Sequence, residues 1–318
     1  MRAYRVVVLA GGLSAERDVS LRSGRRVVEA LTEQGLEAVA RDVDTSLLDW
    51  LRAERPDCVV PLLHGGAGEG GALQEILGLA GVAFVGSQAT AARVASDKPI
   101  AKQVVTRAGV STPPSVTLPA DTFREMGATA VLESVIRRLG LPLFVKPADG
   151  GSALGCSAVE RADDLAGAMM RCFAYGRVAL IEQLVRGVEV AVPVVESAGV
   201  PLPLPAVEIR ADGGVYDYTA RYTAGATEFV VPASLSRSAA EECARVAVEA
   251  HTSLGLRDLS RSDLIVDEFD SVWFLEANVS PGMTETSLVP LAAAADGRSV
   301  GDVYAALVEA AVRRGSDA

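Results

Sequence analysis

Apolar positions recur along the chain in two rhythms. Residues 5–9 (RVVVL) form a short β-branched run, a polar glycine-containing stretch covers 11–20, and apolar residues then return at helical spacing over 21–34. A strand, a loop and a helix are expected in that order. The alternation continues with a strand at 37–42, a helix at 46–54, a strand at 58–63 that reads as buried, and a helix at 72–79. Strands and helices taking turns predict a parallel sheet covered on both faces.

After Phe84-Val85-Gly86-Ser87 the pattern turns helical over 89–108, and Pro113-Pro114 marks entry into a new region. A strand at 143–145 runs into Lys146-Pro147, followed by the loop ADGGSALG, a short strand at 156–159, a helix at 162–174 and a strand at 178–182, a compact αβ module. The remaining chain predicts a strand at 188–195, a Pro-rich turn at 201–205, a helix at 239–254 and a hairpin made of 261–266 and 272–276. A length of 318 residues fits two or three domains at about 150 residues each.

Composition narrows the classes. With 49% hydrophobic and 22% charged residues the chain is an ordinary packed globule, not a disordered, collagen-like or disulfide-scaffold protein. A net charge of -11 without a basic run argues against nucleic acid as a partner. The short apolar start reads as a first strand rather than a signal peptide, and no stretch approaches the roughly 20 apolar residues of a membrane helix. Cys58, Cys156, Cys172 and Cys243 lie far apart without metal-binding spacing, so a reduced, cytoplasmic protein is expected. Lysine occurs only at Lys98, Lys102 and Lys146 among many arginines. A site that needs a compact ammonium is one explanation, chance survival the other.

Several constellations bear on chemistry. Residues 66–71 fit GxGxxG between a strand and a helix, the setting of a dinucleotide loop, yet no acid ends the next strand to take ribose hydroxyls, and Glu69 sits where pyrophosphate would approach. An NAD(P) oxidoreductase is therefore disfavoured. The loop after Lys146 has the small residues and adjacent ammonium of a phosphate cradle without being a P-loop; a plain glycine hairpin is the competing reading. In the final hairpin, Arg261, Asp263, Glu276 and Asn278 would share a face if the strands pair in register. Hard oxygen donors of that kind suit magnesium, while exposed salt-bridged strands are the alternative. Glu182 and Glu189 flank a crossover able to meet an adenine and its ribose, although taken without the other motifs a solvated linker is the better reading. Glu16, after the first strand, is placed to meet a substrate ammonium or merely to favour a helix N-terminus. His64 follows the third strand on the same edge, whereas His251 reads as a packing residue.

The ordered stretches AGGLSAERDVSLRSG, LLHGGAGEGGALQ, FVGSQATAARVASDK, LPLFVKPADGGSALG, LIEQLVRGVE, YDYTARY, and RSDLIV followed by FLEANVSPGMTETSLVP cover nearly the whole chain. In this order and spacing the sequence resembles the ATP-grasp ligases, and most closely the D-alanine:D-alanine ligases. The resemblance implies an α/β chain with the ATP-grasp fold: an N-terminal Rossmann-like parallel-sheet domain (1–96), a small central α+β subdomain with the glycine-rich loop (97–183) and a C-terminal α+β subdomain with the metal site (184–318). It implies ATP-dependent joining of two D-alanines through D-alanyl phosphate for peptidoglycan synthesis, with Mg2+ (two ions, Mn2+ as a substitute), a homodimer, and neither nucleic acid nor membrane as partner.

By position it assigns Lys98, Lys146, Gly151 and Ser152 to the nucleotide phosphates, and Glu182, Gln183, Val185 and Glu189 to adenosine. Asp263, Glu276 and Asn278 become the metal ligands, while Arg261 and the Gly282 N–H would stabilise the reacting centre. Glu16, His64, Arg221 and Ser287 would contact the amino acids, and Tyr222 with Ser152 would link a lid at 216–222 to Glu16. Gln183 and Arg221 stand where the family often has lysine. A paralogous ligase of antibiotic metabolism, or a nucleotide-binding module without catalysis, are the alternatives.

Overall fold

The computed structural model describes residues 4–151, 153–211 and 227–315. Ser152, Arg221, Tyr222 and the lid expected at 216–222 lie outside the described residues. Three sheets organise the remainder.

The first sheet is parallel, as expected, with β1 (Arg5–Leu9) between β2 (Glu37–Arg41) and β3 (Cys58–Pro61). Val6 and Val8 face one core and Val7 and Leu9 another, which is why β1 is an unbroken apolar run rather than an alternating one. Helices α1 (Arg17–Glu33), α2 (Leu47–Glu54) and α3 (Ala72–Leu79) connect and follow these strands. α1 starts at Arg17 rather than at residue 21. Its first turn opens on the exposed Arg17 and Asp18 and buries the polar Ser20, so it carries little apolar periodicity to read, and Asp18 there favours the positive end of the helix dipole.

The helical stretch at 89–108 is two helices, α4 (Ala89–Ser96) and α5 (Lys98–Arg107). Asp97 breaks them with extended backbone and restarts the second by accepting the Ile100 N–H at 3.0 Å, with Pro99 in the first turn.

The second sheet is antiparallel, in the order β4 (Ser115–Pro119), β7 (Val178–Gln183), β5 (Leu143–Pro147), β6 (Ser157–Val159). Helices α6 (Ala120–Met126), α7 (Ala128–Leu139) and α8 (Leu165–Phe173) accompany it, and its apolar side chains form a core of their own. β4, α6 and α7 have weak sequence signals because they bury little: no residue of α6 and only Val135 and Leu139 of α7 are buried.

The third sheet joins β8 (Val188–Ser197), β10 (Val207–Ala211), β11 (Thr227–Val230), β12 (Leu259–Val266) and β13 (Val272–Asn278), with β9 (Val200–Pro203) added to β8. The Pro-rich turn expected at 201–205 is thus mostly an edge strand; among the described residues β9 pairs with β8 alone, the position where a strand tolerates prolines. Helix α9 (Arg237–Ser253) covers one face of the third sheet, α10 (Leu288–Ala295) and α11 (Val300–Arg314) the other.

The apolar cores do not follow chain order. One core combines β1 and β3 with β8, β10, α10 and α11, uniting the first and third sheets. Another packs α5 residues Ala101 and Val105 against β8, β12, β13 and α9. Among the described residues no helix is long and apolar enough to cross a membrane.

Candidate active site

A cleft of about 860 Å³ lies between the second and third sheets. β5, the glycine-rich loop, β7 and the crossover at 184–187 form one wall; β8, β10, β12 and β13 form the other.

On the first wall, β5 and β7 pair so that Phe144 faces Glu182, leaving Lys146 diagonal to Glu182 on the same side. Lys146 Nζ lies 2.7 Å from Glu182 Oε2. Although burial opposes it, the carboxylates of Glu182 and Glu276 hold the Lys146 ammonium above the ordinary lysine range. Lys102 reaches the other oxygen, Oε1 of Glu182, in a short contact and donates to the Pro113 carbonyl at 2.9 Å. Lys98, one helical turn before Lys102, donates to the Gly150 carbonyl and stands 3.5 Å from Glu276 Oε2. Gln183 also lines the cleft, while its side-chain amide donates to the Leu139 carbonyl at 2.6 Å. Val185 and Glu189 line the cleft.

On the second wall, the hairpin pairs Asp263 with Glu276 and Arg261 with Asn278. Pure alternation would place Val272, Phe274, Glu276 and Asn278 on one face, two apolar and two polar. A bulge between Asp263 and Leu264 inserts Leu275, so Phe274 stays fully buried in the core while Glu276 turns to the cleft. The sequence gives the face, but not the bulge that makes it possible. Arg261 grips Asp263 through two bonds, Nε–Oδ1 at 2.7 Å and Nη2–Oδ2 at 2.8 Å. Asn278 Oδ1 accepts the Ser280 N–H at 2.8 Å and so starts the following turn. A pocket of about 30 Å³ separates Glu69, Lys98, Gly151, Glu276 and Asn278.

Asp263, Glu276 and Asn278 offer only hard oxygen donors, the set magnesium prefers. Among the described residues no three His, Cys, Asp or Glu side chains gather, so a cation here would rely on two carboxylates, the amide and oxygens of a bound ligand. The donor chemistry fits magnesium on those terms.

Below the cleft, the turn at 280–284 is stitched to the first sheet. His64 Nδ1 lies 2.8 Å from the Ser280 carbonyl, Ser280 Oγ donates to Leu63 O at 3.0 Å, and Met283 N–H donates to Ser23 Oγ at 3.0 Å. Burial pushes the His64 imidazole below its ordinary pKa, against the pull of the nearby Glu16 carboxylate. Ser287 precedes α10 and accepts the Thr284 N–H at 2.9 Å. A Cβ on Gly282 would come within 2.9 Å of Ser287 Oγ, so glycine keeps this corner open. Glu16 caps no N–H of α1 with its side chain, which is half-buried. A Cβ on Gly65 would meet its Oε2 at 2.7 Å.

The GxGxxG segment is a 3-10 turn at Gly66–Gly68 packed on Leu63. Its Glu69 carboxyl lies under Gly151, where a Cβ would be 3.3 Å from Oε2. Burial and the charge of Glu16 raise the Glu69 pKa to about 7. His251 is buried with Nδ1 2.7 Å from Ser260 Oγ, away from the cleft. Glu69 and Lys102 are the site neighbours that sequence reasoning left without a role. The four-residue spacing of Lys98 and Lys102 on one helix face was the readable signal for the second.

The family described as D-ala D-ala ligase C-terminus matches residues 104–309. A D-alanine–D-alanine ligase of Pelotomaculum thermopropionicum is 38% identical over 308 residues, covering 97% of this chain and 96% of the relative. One of Bordetella avium is 39% identical over 307 residues, covering 96% and 94%. Among solved structures, the VanG D-Ala:D-Ser ligase of Enterococcus faecalis superposes with a TM-score of 0.82 at 26% identity, covering 98% of this chain and 100% of that one. The D-alanine–D-alanine ligase of Bacillus anthracis gives 0.81 at 26%, covering 98% of each.

Proposed function

The chain belongs to the D-alanine–D-alanine ligase family and is an ATP-dependent ligase that joins D-alanine to D-alanine for cell-wall synthesis, and we propose that the cleft between its second and third sheets is where it does so. One observation carries the assignment to this cleft: Lys98, Lys146, Asp263 and Glu276, brought from four separate elements, line a single cavity beside Gly150 and Gly151.

A carboxylate is a poor electrophile, so ATP must first phosphorylate the first D-alanine, after which the amine of the second attacks and phosphate leaves with ADP as the other product. Such chemistry needs positioning and charge clamps rather than a covalent nucleophile. In this reading Lys98 and Lys146 take the phosphates, with Gly151 beside them. Glu182, the backbone at Gln183 and Val185, and Glu189 hold adenosine. Asp263, Glu276 and Asn278 hold two magnesium ions, for which manganese can substitute, and bound metal would neutralise phosphoryl oxygens. Arg261 and the Gly282 N–H stabilise the oxyanion. Glu16 takes the first ammonium, Ser287 the second carboxylate and His64 supports the amino acids; the parts that the family resemblance gives Arg221, Tyr222 and Ser152 fall outside the described residues. We also assign the chain a homodimeric state and a cytoplasmic location, on its family resemblance and its cysteine usage.

A phosphate-release assay tests the whole. ATP, magnesium and D-alanine together should liberate phosphate and yield D-alanyl-D-alanine, and chelating the metal should stop it. Because one structural neighbour is named for D-serine, the same assay includes D-serine and D-lactate as second substrates. Release only with another amino-acid pair would reassign the product, and nucleotide binding without amino-acid-dependent release would leave a binding module.

A further inference from the structure

We propose that Lys102 is a positioning residue that, through Glu182, sets the net charge which Lys146 presents to the nucleotide phosphates. This rests on the reading above that the phosphates lie at Lys146.

Lys102 stands one turn after Lys98 on α5, but its surroundings differ. Lys98 lines the cleft, whereas Lys102 sits behind it, 2% exposed. Its ammonium is spent on the Pro113 carbonyl and Glu182 Oε1. Glu182 is itself 2% exposed, and its second oxygen is on Lys146. The result is a line of three buried charges, Lys102–Glu182–Lys146, with a surplus of one positive charge.

Stability alone does not call for this arrangement. A buried carboxylate is compensated by one cation, and each further buried charge adds a desolvation cost. Glu276 faces this surplus from the cleft, but Lys98 stands 3.5 Å from that same carboxylate, so the five groups together keep one positive charge for an anion in the cleft to complete. With Glu182 and Lys146 alone, the ammonium facing the cleft would be neutralised by a full carboxylate at 2.7 Å. Lys102 claims the other oxygen and divides that carboxylate between two cations. Lys146 is thereby left with charge to offer a phosphate while its position stays fixed. Pro113, the third partner, begins the passage from α5 into the second sheet, so the same side chain also ties the wall of the cleft to the helix that carries Lys98.

The test is calorimetric binding of ADP and of adenosine, compared as a ratio of affinities so that loss of fold or of adenine contacts cancels. Lys102→Met should lower the ADP-to-adenosine ratio by about tenfold. Lys102→Met/Glu182→Gln, which restores the surplus positive charge, should recover most of it, and Glu182→Gln alone should raise the ratio above wild type. A merely structural Lys102 would make the double variant no better than the single one. If Lys102→Met does not fold, Glu182→Gln decides alone. A ratio unchanged in Lys102→Met, or unchanged in Glu182→Gln, overturns the proposal. Failure of the wild-type chain to bind ADP would instead overturn the nucleotide reading on which it rests.

Discussion

Glu69 sits between the carboxylate of Glu16 and the glycine-rich loop, and its carboxyl keeps its proton to about pH 7 in the folded chain against an ordinary value of 4.5. Between those pH values the folded state binds more protons than the unfolded one, so stability falls as pH rises through the window and levels off above it. Glu69→Gln should remove this slope, seen as a melting temperature that varies less from pH 4.5 to 7 than in the parent; an identical profile would show the carboxyl to be solvated. The residues of the cleft differ in how far sequence reveals them. Lys146, Asp263 and Glu276 are legible because charged residues in apolar strands stand out. The partnership of Glu182 with two lysines is not, since Lys102 lies on a helix 80 residues away and meets it only through tertiary packing.

Elements were easiest to read where one face is strongly apolar and hardest where little is buried. β1, β3 and β12 declare themselves, while β4, α6 and α7 bury too few side chains to leave a period, and the prolines of β9 imitate a turn. The crossover between β7 and β8 shows a demand on the backbone that no hydrophobic pattern carries. A Cβ at Gly187 would stand 2.0 Å from the Val266 carbonyl oxygen, and the obstruction is backbone that cannot rotate aside. Gly187→Ala should therefore destabilise the chain by about 2 kcal/mol, read as a lower denaturant midpoint with an unchanged slope.

At the scale of the molecule, local periodicity predicted three successive units, but it cannot tell which buried faces meet. The first and third sheets share a core, and polar contacts lock them further. Asp258 is fully buried; Arg314 at the end of α11 donates to both its oxygens at 2.8 Å, and the Gly86 N–H adds a third bond at 2.7 Å. Arg314→Ala leaves that carboxylate without its principal counter-charge and should cost about 3 kcal/mol, measured as a drop in melting temperature. Retention of the parent value would mean that Arg257 compensates.

The second sheet, by contrast, keeps its greasy interior to itself and is fastened mainly through polar links such as Lys98 to Gly150 and Lys102 to Glu182. Among the described residues no apolar core spans this sheet and its neighbours, so swinging it outward like a jaw would mainly trade hydrogen bonds for water. Were the nucleotide held in the cleft as proposed, such a swing would open its wall while the core shared by the first and third sheets stayed closed.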